Sequence, residues 1–96
     1  MNDKELYQKK MEAQLDEWEA RLDQIKAKAA SASAEAGLQI NKKATAIEDE
    51  ITKGRKKLSD LRNAGEGKWE AVKNDVETTW TALRNTISEA TSNLTP

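Results

Sequence analysis

Apolar residues recur along the chain at steps of three or four. The first stripe runs Tyr7, Met11, Leu15, Trp18, Leu22, Ile25, Ala29, Ala32, Ala36, Ile40, Ala44, Ile47, Ile51, Gly54, Leu58, Leu61. Its mean step is about 3.6 residues, the period of an α-helix. A second stripe follows with the same spacing: Trp69, Val72, Val76, Trp80, Leu83, Ile87, Ala90, Leu94. Between them lies Ala64-Gly65-Glu66-Gly67, where two glycines within three residues mark a reversal. Gly65 suits the left-handed position after a helix, and Arg62 suits the negative end of the helix dipole. The pattern predicts a helix over 3–63, a turn at 64–67 and a helix over 68–93. Asn2 or Asp3 is placed to cap the first helix.

The weak point is the middle. Residues 29–36 narrow the stripe to alanine, and Gly37 follows. Two readings compete there: one unbroken helix with a thin waist, or a break near Gly37 that gives a three-helix bundle. Glycine destabilises a helix interior by only about 1 kcal/mol, no proline intervenes, and the stripe keeps phase across Ala36, Ile40 and Ala44. The preferred reading is therefore a coiled-coil hairpin, a long helix with a shorter antiparallel one. At 1.5 Å per residue the long helix would extend roughly 90 Å and the short one roughly 40 Å. The short helix would cover Ile40 to Leu61 and leave Tyr7 to Ile25 bare. Such a stripe, with Leu15, Trp18, Leu22 and Ile25, calls for another molecule, since each buried side chain is worth roughly 1.5–3 kcal/mol.

Composition supports the helical class. Charged residues make up 34% of the 96, aromatics 4%, and there is no Phe. So few large apolar groups suit an elongated helical form better than a globular core. The formal net charge of −1 supplies no field for nucleic acid or an anionic surface. The absence of Cys and His removes the usual zinc, haem and triad chemistries. Glu48-Asp49-Glu50 is the densest acidic run, but successive helical residues point apart and cannot converge on one ion. Lys53-Gly54-Arg55-Lys56-Lys57 is the main basic cluster. It lacks interleaved aromatics for base stacking and lacks a P-loop's pattern. Neither a cofactor nor a metal is expected, nor is an enzymatic activity. The charged start and the lack of a long apolar run lead us to expect a cytoplasmic protein.

The blocks Tyr7-Gln-Lys-Lys-Met11-Glu-Ala-Gln-Leu15-Asp-Glu-Trp18 and Leu58-Ser-Asp-Leu61-Arg-Asn-Ala-Gly65-Glu-Gly-Lys-Trp69, with Val76-Glu-Thr-Thr-Trp80-Thr-Ala-Leu83, resemble a family of small bacterial coiled-coil proteins labelled as stress-response proteins. The resemblance implies an all-α coiled coil with a loose association with stress, and it carries over no catalytic residues. The chain departs from that family in Gly37 and in its Thr-rich end. The expected function is structural: a scaffold or accessory subunit that forms a homo-oligomer or docks on a larger protein. The residues expected to carry that interaction are Tyr7, Met11, Leu15, Trp18, Leu22, Ile25, Ile47, Ile51, Leu58, Leu61, Trp69, Val76, Trp80 and Leu83. The alternative function is peripheral lipid binding by amphipathic helices, with the three tryptophans at the interface.

Overall fold

A computed structural model describes residues 2–65 and 67–94; Glu66, within the expected turn, and the side chains of Asn93 and Leu94 lie outside the described residues. Among the described residues the chain is all-helical. It forms α1 (Asp3–Ser31), α2 (Ala34–Asn63) and α3 (Trp69–Leu94), with no strand. The Asn2 side chain caps α1 by accepting the Glu5 N–H at 2.9 Å. Asp3 and Glu5 lie in its first turn and Lys28 in its last, which complements the helix dipole at both ends.

The unbroken helix expected over 3–63 is two helices: the chain breaks near Gly37, as the alternative reading had it, with the break itself at Ala32 and Ser33. Both residues are extended, Ala32 with φ −87° and ψ 170°, Ser33 with φ −61° and ψ 161°. Ser33 is the N-cap of α2. Its side chain accepts the Ala36 N–H at 3.3 Å, and Glu35 follows in the first turn. A serine cap with an acidic residue behind it satisfies amides that would otherwise stay unpaired. Gly37 is helical and buried just inside α2. A Cβ there would stand 2.8 Å from the Ala29 carbonyl oxygen. Gly37 therefore permits the start of α2 to approach the end of α1 closely.

Cross-helix pairs fix the register. Lys4 reaches the end of α2, Glu12 meets Arg62, Glu19 meets Arg55, and Lys26 meets Glu48, so α2 runs back along α1. Lys57 meets Asp75 and Glu50 meets Thr86, so α3 runs back along α2. The reversal between α2 and α3 lies where the glycine pair placed it. Gly65 nevertheless does not adopt the left-handed conformation. Instead its carbonyl accepts the Lys68 and Trp69 N–H groups at 2.9 and 3.2 Å. Lys4 Nζ donates to the Arg62 and Ala64 carbonyls at 3.0 and 2.6 Å, which places a cation on the negative end of α2. The described chain measures 51 × 19 × 19 Å. That length accommodates helices of 26 to 30 residues, each roughly 39–45 Å, and excludes one of roughly 90 Å.

Candidate functional site

The apolar stripes of all three helices face one another. Leu15, Ile47, Leu61, Val76, Leu83, Trp80 and Ile87 are essentially inaccessible to solvent. Met11, Trp18, Leu22, Ile25, Ile51 and Leu58 are buried with them, and Tyr7, Ile40, Trp69 and Val72 pack at the margins. The fourteen residues expected to carry an interaction are thus brought together in the chain's own core, twelve buried and Tyr7 and Trp69 half-buried. Folding back at Ser33 covers the stretch from Tyr7 to Ile25, which the hairpin reading left bare. These side chains leave water without a second molecule. Ala29, Ala44, Ile87 and Ala90 also belong to the buried set; their places on the stripes were the signal for them.

The centre of the core is aromatic. Trp18 of α1 and Trp80 of α3 lie with ring centroids 6.2 Å apart at an interplanar angle of 53°. Opposite them, Gly54 of α2 takes the place where a Cβ would meet Leu15 Cδ2 at 3.2 Å and Trp80 Cζ3 at 3.3 Å. A glycine there lets α2 approach the two large side chains closely. Glu50, one turn earlier on α2, accepts from the Thr86 hydroxyl at 3.1 Å.

A second aromatic pair closes the end near the α2–α3 turn. Tyr7 and Trp69 lie 6.1 Å apart, and Lys73 Nζ stands 5.1 and 5.8 Å from their ring centroids. This is cation–π distance. Burial, with a smaller contribution from the charge of the neighbouring Glu77, pushes the Tyr7 phenol up to about 12. The Tyr7 hydroxyl is enclosed and closes no hydrogen bond.

Charged residues line the seams between helices. Arg55 Nε donates to Glu19 at 3.1 Å and its terminal nitrogen lies 3.6 Å from Asp16, which holds the guanidinium above its usual range, chiefly through the Glu19 hydrogen bond. These pairs are solvated, so each contributes at most about 1 kcal/mol, and their main effect is on register. They also divide the basic cluster. Arg55 turns to α1, Lys57 turns to Asp75 on α3, and Gly54 turns inward. The acidic run divides in the same way, with Glu48 on Lys26, Glu50 on Thr86 and Asp49 exposed. Among the described residues no three acidic side chains gather as a metal site. No described helix is long and apolar enough to cross a membrane.

What remains outward is mostly polar, with a few apolar side chains among it. The outer face of α3 forms a shallow open groove lined by Asn74, Glu77, Thr78, Thr81, Ala82 and Asn85. Ala13, Ala20, Ala27 and Ala34, seven residues apart, are exposed. Leu6 and Leu38 are large apolar side chains that stay about half exposed, far apart in sequence on α1 and α2. Comparison with protein-family models, curated proteins and solved structures finds no match to this chain.

Proposed function

We propose that this chain is a non-enzymatic interaction module: a three-helix antiparallel bundle that serves as a scaffold or accessory subunit, associating with a second copy or docking on a larger protein. The observation that carries the reading is the single core to which all three helices contribute their apolar stripes. A module closed on its own core meets partners through its outer helix faces, whose groups are polar and held in fixed register. The stripe residues, from Met11 to Leu83, then act by holding those faces in place, while Tyr7 and Trp69 brace one end. The proposed location is the cytoplasm, and a link with stress follows from the resemblance of the tryptophan-bearing blocks.

Cross-linking in intact cells, with the linked peptides identified by mass spectrometry, tests the reading. Reproducible links from exposed lysines to one protein, or between copies of this chain, support it. Links found only within single chains overturn it. Vesicle flotation addresses the lipid alternative. Co-flotation with anionic vesicles and a shift of tryptophan emission would favour an opened, membrane-bound form in place of the closed module.

A further inference from the structure

We infer that the outer face of α3 is a self-association surface whose partner is a second copy of the same helix, running antiparallel. This rests on the reading of the chain as an interaction module and names the occupant. Ala71, Asn74, Thr78, Thr81, Asn85 and Ser88 recur at alternating steps of three and four, all of them exposed. That is the spacing of a seam between two helices. Every member is uncharged, in a chain that is 34% charged. Small side chains here leave the shallow groove into which a second helix backbone could settle.

Charge complementarity selects the occupant and its direction. With two copies antiparallel about a twofold axis between residues 79 and 80, Thr78 faces Thr81 of the second copy and Asn74 faces Asn85. Ala71 faces Ser88. The flanking positions then bring Glu77 opposite Arg84, and Lys68, the turn residue immediately before α3, to the end of the seam that faces Glu89, each pair occurring twice by symmetry. All four residues are exposed. Among the described residues Arg84, Lys68 and Glu89 have no ion-pair partner within the chain, whereas Asp75, on the same helix, is already engaged by Lys57. A parallel arrangement sets Glu70 against Asp75 of the other copy, a like-charge encounter that offsets its one attraction, Arg84 against Glu89, whereas the antiparallel one makes two kinds of attractive pair and no like-charge pair. The layers are polar, so the association is weak, salt-sensitive and specific in direction.

A charge-swap experiment on the full chain tests this. Sedimentation equilibrium at low salt should show wild type in a monomer–dimer equilibrium that salt weakens. E77R and R84E, each checked for unchanged helicity, should each raise the dissociation constant about tenfold or more, because attraction becomes repulsion at two symmetric places. An equimolar mixture of E77R and R84E should recover dimerisation. In addition, since the chain has no Cys, Asn74→Cys mixed with Asn85→Cys should form a disulfide-linked dimer faster than Asn74→Cys alone. That comparison holds even if E77R fails to fold. A wild type that dimerises with no effect of either substitution overturns the α3 surface and leaves the module reading standing. A wild type that stays monomeric throughout overturns self-association. Cellular cross-links to another protein would then preserve the module reading, and their absence would remove it too. Preferential Asn74→Cys self-linking overturns the antiparallel direction.

Discussion

Gly37→Ala gives opposite signs for the two ways of arranging the first sixty residues. In an unbroken helix, replacing an interior glycine by alanine stabilises by about 1 kcal/mol. In the folded-back arrangement the new Cβ would lie 2.8 Å from the Ala29 carbonyl oxygen. The obstacle is backbone, so relief requires α2 to move away from α1 rather than a side chain to rotate. Overpacking of this kind costs about 1–3 kcal/mol. Offset by the propensity gain, the expected result is a net loss of up to about 2 kcal/mol. Urea unfolding followed by circular dichroism at 222 nm measures it, with Gly67→Ala as the comparison, because a Cβ at Gly67 meets open space. A Gly37→Ala protein more stable than wild type by about 1 kcal/mol would refute the close approach of the two helix ends.

Ser33→Ala removes the oxygen that accepts the Ala36 N–H and should destabilise by about 1 kcal/mol in the same assay. No loss would mean that the cap is not the start of a helix. Trp80→Ala empties the centre of the core, beside Trp18 and Gly54, and should cost about 3–5 kcal/mol; a loss below about 1 kcal/mol would contradict its burial. Tyr7 is the sole tyrosine, so absorbance at 295 nm reports it alone. It should titrate near 12 in the folded protein and near 10 in denaturant. Because the folded state holds this proton more tightly, the linked stability is complete below about pH 10 and is lost as pH rises through about 12. Folded-state titration near 10 would show that the Tyr7–Trp69 end is open.

Both stripes, the reversal at residues 64–67 and the start of α1 were legible in the sequence, because each rests on local signals: period, glycine pair and cap. A break near Gly37 was one of two readings, but its place at Ala32–Ser33 was not legible, because the run from Ala29 to Ala36 keeps the helical phase through the interruption. Alanine carries too little bulk to reveal that the face has changed. Ser33 followed by Glu35 is a helix-start signal, but it sits among residues that all favour helix. Gly37 drew attention as a breaker, whereas its role is close packing, a property of two segments that a one-dimensional pattern does not contain. The expectation of a bare stripe from Tyr7 to Ile25 followed from the assumed length of the first helix. Once that helix ends at Ser31, the same residues supply the core.

The central claim is that the first stripe folds back on itself, and one distance decides it. Ala13 on α1 and Asp60 on α2 are both exposed. The Glu12–Arg62 and Asp16–Arg55 pairs place them on neighbouring stretches of the two helices. Spin labels on Ala13→Cys/Asp60→Cys, diluted in unlabelled chain, report their separation by double electron–electron resonance. Antiparallel helices with axes about 10 Å apart predict a distance below about 40 Å once the label arms are included. A distance near 70 Å, the length of about 47 residues of continuous helix, would contradict it.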